Sequence, residues 1–321
     1  MLDKLKIRIE NFIATGTKNW KYRGSGLYPG QKIYTLKIYN PNATKKRFAI
    51  QLCKIVNIDT GEEFIMFENS IRKWYFGRNT RQDLKYFQYV DCIKILSREI
   101  GVREIDLWNA RVMTLEMGIN LLLKSNMKNV NECLIRYRGL KRVTILSSVY
   151  FEGKNLKLRI YDKWAEIFRS KKMNIYQLRF ASKYHLLRVE VEVKKMTGFF
   201  QAKAFTLGNV KDNWNEIVSK LEWYIKGINF VDRISPAISK NEIKTPTDFY
   251  GYHLYENMNK DFFRNLRQFE KLTFSQNNKS GSIKNLLSLF ERGVSKIADF
   301  KQEFYSTVYQ KTGRLYNKGN L

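Results

Sequence analysis

Two strictly alternating runs constrain this chain most: Leu156-Lys-Leu-Arg-Ile-Tyr161 and Leu187-Arg-Val-Glu190-Val-Glu192-Val193. Strand side chains point to opposite faces with period two, so each run predicts a strand with one apolar and one polar face. In the second run Arg188, Glu190 and Glu192 share a face opposite Leu187, Val189, Val191 and Val193. The first is the outgoing arm of a hairpin expected over Arg142–Phe151 and Asn155–Asp162, turned by Glu152-Gly153-Lys154-Asn155. Tyr161 stands at the end of that arm, just before a helix-like segment from Trp164 to Phe168.

Similar alternation predicts strands over Leu2–Ile9 and Lys32–Tyr39. A further hairpin is expected from Phe48–Asn57 to Glu63–Phe76 around Asp59-Thr-Gly61-Glu. Helical spacing of Leu84, Phe87, Val90, Ile93 and Leu96 runs from about Gln82 to a stop at Gly101. Val102–Val112, with Glu104-Ile-Asp106, then reads as a strand, and Leu115–Lys124 as a second helix. After Lys211 a stripe of Trp214, Ile217, Val218, Leu221 and Ile225 predicts another helix. Pro236 and Pro246 mark a polar linker. The expected class is α+β: an antiparallel sheet flanked by helices over 1–235, a linker over 236–247, and a basic helical domain over 248–321.

Composition narrows the partners. Lys and Arg number 58 against 30 Asp and Glu, a net charge of +28, and the excess is spread widely instead of forming a tail. A polyanion is the simplest reason for such a charge, and phosphate binding would depend on salt. The 44% apolar content is enough for a folded core. Cys53, Cys92 and Cys133 are far apart and lack metal-ligand spacing, which excludes a disulfide framework or zinc site as an organising feature. No apolar run approaches the ~20 residues of a membrane span, so a cytoplasmic protein is expected.

Tyrosine is a poor nucleophile while protonated, but its phenolate attacks phosphorus and keeps the energy of the broken bond in a phosphotyrosine. Carboxylates near such a tyrosine suit Mg²⁺ or Mn²⁺. Asp106 and Glu190 would flank Tyr161 if their strands are neighbours. Lys163 and Arg188 would then hold phosphate charge, and Glu166 would be a third ligand or a partner of Lys163. Arg159, Lys157, Arg142, Lys73 and Arg78 are the candidate nucleic-acid contacts. Each residue also has a plainer reading: a packed strand tyrosine, a solvated glutamate face paired with lysines, and Trp74, Tyr75 and Phe76 as core.

Several segments occur together in order: Met1-Leu-Asp-Lys-Leu-Lys-Ile-Arg-Ile9, Lys73-Trp-Tyr-Phe-Gly77-Arg-Asn79, Glu104-Ile-Asp106, Leu158-Arg-Ile-Tyr161-Asp-Lys163 and Leu187-Arg-Val-Glu190-Val-Glu192. In these the chain resembles the replication initiation proteins of filamentous phages and related plasmids, the gene II/gene X family, with looser similarity to Rep-trans initiators. That resemblance implies a rolling-circle initiator fold and an enzyme that nicks one strand at an origin and stays linked to the 5′ phosphate through tyrosine. It implies Tyr161 as nucleophile and Asp106 and Glu190 at the metal. It also implies origin DNA as substrate, host helicase and polymerase as later partners, and the bacterial cytoplasm as location. The histidine pair that holds the metal in many rolling-circle nucleases is missing, since His185 and His253 stand alone, so the implied metal site is either built of carboxylates or absent. The alternative is a non-catalytic, basic nucleic-acid binder using Trp74, Tyr75 and Phe76 beside Arg72, Lys73 and Arg78.

Overall fold

A computed structural model describes residues 1–44, 46–78, 80–124, 134–145, 148–168, 179–181, 183–196, 199, 205–230, 234–236, 294–296 and 300–317. The chain divides into two units, Met1–Phe230 together with Glu303–Leu321, and Val231–Gln302. In the second unit two short strands, Ile234–Pro236 and Val294–Lys296, pair antiparallel. Most of the expected linker, the segment Gly281–Gly293, His253, Asn79 and Cys133 lie outside the described residues.

The first unit is built on strands β1 (Leu2–Glu10), β2 (Lys21–Ser25), β3 (Gln31–Tyr39), β4 (Ala49–Asn57), β5 (Glu63–Ser70) and β6 (Arg111–Leu123). After β7 (Leu134–Tyr137) come β8 (Lys141–Ile145), β9 (Ser148–Glu152), β10 (Leu156–Asp162) and β11 (His185–Val193). A ten-stranded sheet runs in the order β2-β3-β4-β5-β1-β6-β11-β10-β9-β8, and its pairs are antiparallel. Short strand β12 (Ile228–Phe230) pairs with β7. The helices are α1 (Ile71–Phe76), α2 (Tyr86–Ile100), α3 (Glu104–Trp108), α4 (Lys163–Phe168), α5 (Leu207–Asp212), α6 (Trp214–Lys226) and α7 (Phe300–Gly313). The protein is thus α+β, with a large antiparallel sheet and a helix near the C-terminus. Among the described residues no helix is long and apolar enough to cross a membrane.

Four local expectations are corrected. The second arm of the first hairpin stops at Ser70, whose side chain accepts from the Lys73 N–H and caps α1, while Gly77 closes that helix at φ 63°. Asp106 lies on a helix, not a strand: Glu104 and Asp106 fill the first turn of α3, where the helix dipole favours carboxylates. Leu115–Lys124 is strand for nearly all its length, because β6 is hydrogen-bonded to β1 on one side and β11 on the other. Arg142–Phe151 is two strands, β8 and β9, rather than one arm.

The register gives the middle of the sheet two distinct faces. Leu5, Leu115, Met117, Ile119, Val189, Val191, Leu158 and Ile160 share the buried apolar face. Tyr161 is opposite Arg188 and Arg159 opposite Glu190. On β6, Asn120, Gly118 and Glu116 oppose Arg188, Glu190 and Glu192 in turn. The whole polar constellation therefore lies on one face. A register shift between Leu2 and Leu5 lets both leucines face the core while Asp3 joins the polar side, the local effect of a β-bulge.

Candidate active site

Tyr161 is half-buried at the end of β10, and its hydroxyl lies 2.9 Å from Glu190 Oε1 and 3.1 Å from Glu166 Oε2, two acceptors for its single proton. Asp162 caps the start of α4 by accepting from the Trp164 N–H at 2.8 Å, so the chain turns into helix immediately after the tyrosine. That turn brings Glu166 back over Tyr161 and buries Lys163 completely. Lys163 bonds Glu166, and Lys73 reaches the other oxygen of Glu166 at 2.7 Å from α1. Four of the residues expected together, Tyr161, Lys163, Glu166 and Glu190, are thus in one place, with Lys73 at its margin.

Beneath them lies a denser ionic network. Arg188 is 0% exposed and donates to Glu190 at 2.6 Å, to Asn120 at 3.1 Å and to Asp83 at 3.3 Å, and it also pairs with Asp3. Its charge is therefore committed inside the protein and does not face a phosphate, contrary to the sequence expectation. Arg72, also proposed as a phosphate contact, is equally buried: it donates to Asp3 at 3.0 Å and to the Thr80 carbonyl at 3.0 Å. Trp74 is core, with its indole N–H on the Ile38 carbonyl at 3.3 Å. Gly118 is needed here, because a Cβ on it would lie 2.8 Å from Arg188 Nη2 and 3.0 Å from Glu190 Cγ.

Asp3, Glu116 and Glu190 each offer a carboxylate oxygen within 4.8 Å of the others. Arg159 crosses this group, 3.1 Å from Glu116, 3.6 Å from Glu190 and 2.9 Å from Glu192. Its position offsets the like charges of Glu116 and Glu192, which oppose each other across the strands. Glu116 Oε2 accepts no hydrogen bond despite its burial. Burial, then the charges of Glu190 and Asp3, push its carboxyl up to about 8. The donor set is hard oxygen, burial and the repulsion among its acidic members hold Glu116 protonated, and the Glu116 Oε2 near Arg159 accepts no hydrogen bond. A divalent ion such as Mg²⁺ or Mn²⁺ fits that description. Asp3 and Glu116 were not foreseen. In the sequence Asp3 is one residue of an alternating strand, and Glu116 falls in a segment that reads as helix.

The electrostatics set the protonation states. Burial, followed by the charges of Glu190 and Glu166, holds the Tyr161 hydroxyl far above its ordinary range, so it is a neutral phenol at rest. Burial, with Arg188 and Arg72 nearby, brings the Lys163 ammonium down to about 8. Burial alone would raise Glu166, but Lys163 and Lys73 outweigh it and bring the carboxyl down to about 2.

Asp106 is elsewhere. It is 6% exposed, bonded to Arg103 at 2.7 Å and to the Ile13 N–H at 2.9 Å, in a cleft shared with Arg8 and Glu10. Those residues are five and seven positions beyond Asp3 on β1, which at ~3.3 Å per residue puts them about 17 to 23 Å away along the strand. It cannot share a metal with Glu190 at that separation. Of the remaining candidates, Lys157 pairs with Glu152 and lies 5.2 Å from the Tyr150 ring. Arg142 donates to the Leu134 carbonyl at 2.8 Å, and Arg78 is exposed. Comparison of the chain with family models, curated proteins and solved structures finds no match.

Proposed function

We propose that the protein is a DNA nicking and joining enzyme, a rolling-circle replication initiator of phage or plasmid type, with Tyr161 as nucleophile. The observation that carries this reading is the Tyr161 hydroxyl held between Glu190 and Glu166 beside a buried carboxylate group, in a chain of net charge +28. Tyr161 Oη attacks the scissile phosphorus and its proton passes to Glu190, which already accepts its hydrogen bond. The bond from phosphorus to the 3′ oxygen breaks, the 3′ oxygen leaves and takes up a proton, and the 5′ phosphate remains esterified to the tyrosine. Lys73 and Lys163 orient Glu166 and place positive charge beside the reacting group. Asp3, Glu116 and Glu190 would hold Mg²⁺ or Mn²⁺, which when bound supplies charge to polarise the phosphate. The raised hydroxyl fits this scheme only if proton loss is concerted with attack, because a free phenolate is disfavoured there.

The pairing of Asp3 with both Arg72 and Arg188 favours a second reading, in which the same face binds nucleic acid without cutting it and the network is structural. One experiment separates them. The protein is incubated with end-labelled single strands of randomised sequence and Mn²⁺, and denaturing gels reveal a covalent adduct. The expected result is an adduct whose labelled peptide contains Tyr161, absent from Tyr161→Phe. A wild type that forms no adduct, or an adduct that persists in Tyr161→Phe, overturns the catalytic reading.

A further inference from the structure

The outer edge of the sheet carries a second cluster of charge and rings, remote from Tyr161. From Asn11 to Ile58 the chain holds nine Lys and Arg and no Asp or Glu, and this stretch builds β2, β3 and β4. Within it Trp20-Lys-Tyr22-Arg23 alternates aromatic and basic residues. Period two sends the rings to one side of the edge strand and the cations to the other. Register fixes which side is which. The row that holds the buried Ile9 and Ile65 continues outward through Lys54 and Tyr34 to Tyr22, so the apolar face runs on past the end of the core. The rings therefore stand on the face opposite the one that carries Tyr161.

Tyr22 is 57% exposed and meets Tyr34 edge to face at 5.6 Å. Lys54 stands 5.5 Å from the Trp20 ring and 5.7 Å from the Tyr34 ring. Glu63 on β5 answers Lys54 at 3.4 Å. Lys21 and Lys32 are exposed and make no ion pair among the described residues. Arg23 gives one N–H to Thr35 Oγ1 at 3.0 Å and is otherwise exposed. Charge on an edge strand also keeps sheets from pairing edge to edge, and Lys21 and Arg23 serve that end. Protection of an edge needs neither exposed rings nor an acid-free stretch reaching inward to β4, since a surface of mixed sign is equally soluble.

We infer that the outer rows of β2, β3 and β4 are a binding site for single-stranded DNA, separate from the Tyr161 site and on the other side of the sheet. Unpaired bases stack on Tyr22 and its neighbour Tyr34, and phosphates along the edge meet Lys21, Arg23 and Lys32. A duplex hides its base faces and would use the cations alone, so rings beside cations favour a single strand. That the strand is DNA rests on the proposed function, whereas the place of the site rests on register and charge.

The test uses the Tyr161→Phe protein, so that cleavage does not interfere, and fluorescein-labelled oligothymidylate read by anisotropy across a salt series. Tyr22→Ala is expected to weaken binding about tenfold, the loss of one stacked base, while Tyr22→Phe keeps the ring and binds like its parent. Lys21→Gln combined with Lys32→Gln should reduce the salt slope by about 1.4, the share of two phosphates on a single strand. Lys154→Gln, at an exposed lysine in the turn between β9 and β10 toward the other edge of the sheet, should change neither. An oligothymidylate carrying 5-iododeoxyuridine should cross-link under ultraviolet light to a peptide containing Trp20, Tyr22 or Tyr34. The inference is overturned if Tyr22→Ala, folded by circular dichroism, binds like its parent, or if Lys154→Gln loses as much as the double lysine variant. Better competition by duplex DNA or oligouridylate than by oligothymidylate overturns it too. Ring-dependent binding by a protein that forms no covalent adduct would sink the nicking reading and leave this site standing. Adduct formation by a protein whose Tyr22→Ala variant binds unchanged would do the reverse.

Discussion

Arg188 and Arg8 occupy the same face of the same sheet, yet they do opposite things. Arg188 is enclosed by Asp3, Asp83, Asn120 and Glu190. Arg8 stays more than a third exposed beside a second arginine over a cleft, and it pairs with the exposed Glu10 of its own strand. Both appear in the sequence as a basic residue in an alternating strand. What separates them is the supply of acids from other elements: β1, the segment before α2 and β11 itself all aim carboxylates at Arg188. Positive charge on a polar strand face is therefore enclosed where several elements aim carboxylates at it, and stays at the surface where one exposed acid answers it.

The largest expected effect tests the enclosed end. Arg188→Met leaves Asp3, Asp83 and Glu190 without their shared cation, and breaking one side of a buried pair typically costs about 3 to 5 kcal/mol. Urea unfolding should show a loss of that order, whereas Arg8→Gln should change stability by less than about 1 kcal/mol. Equal losses at the two sites would erase the contrast. Gly118→Ala is expected next, at about 1 to 3 kcal/mol, because its methyl group enters the space where Arg188 and Glu190 cross β6. An adduct assay on the same variant should fall even at temperatures where it remains folded.

The acid side of the comparison can be read by pH. Glu116 has its native carboxyl raised to about 8 from an ordinary value near 4.5. Between those values the native state holds a proton that the unfolded chain has lost, so its contribution to stability is full below about 4.5 and disappears as pH rises through about 8. Glu116→Gln should flatten the thermal-stability profile over pH 5 to 8. If Mn²⁺ binds at Asp3, Glu116 and Glu190, it should stabilise the wild type more at pH 8 than at pH 6, since ligation requires the deprotonated carboxylate. An unchanged pH profile in Glu116→Gln would place the carboxylate outside this electrostatic group.

Much of the frame was legible, since β1, β3, β10 and β11 have period-two patterns that follow directly from a sheet with one buried side. The failures share a cause. Leu115–Lys124 carries four leucines with Glu116, Met117 and Lys124, all good helix formers, and these propensities mask its alternation of Leu115, Met117, Ile119, Leu121 and Leu123. Pairing on both edges decided its conformation, a tertiary effect that no local propensity records. Losing β6 concealed Glu116 and Gly118. Asp106, which the resemblance sets beside Glu190, lies instead on a helix away from it. Tyr161, Lys163, Glu166 and Glu190 were recoverable because they lie within 30 residues of one another, on two strands that are neighbours in the sheet and on the helix that follows the first. Asp3 needed a bulge to reach the same face, and the irregularity at Leu2–Leu5 is its only sequence signal.

The smallest predicted effect places the comparison on adjacent residues. Arg72 and Lys73 follow one another on α1, but the helical turn sends Arg72 inward to Asp3 and Lys73 outward to Glu166, where its side chain is 26% exposed. Lys73→Met should lower stability by no more than about 1 kcal/mol, since a solvent-screened pair contributes little. Arg72→Met should behave like Arg188→Met. In the adduct assay Lys73→Met should still reduce the rate, because Glu166 then answers to Lys163 alone and its hold on the Tyr161 hydroxyl shifts. A Lys73 variant with full adduct formation would confine the working group to Tyr161, Lys163 and the carboxylates, and would make α1 a structural support for Asp3 only.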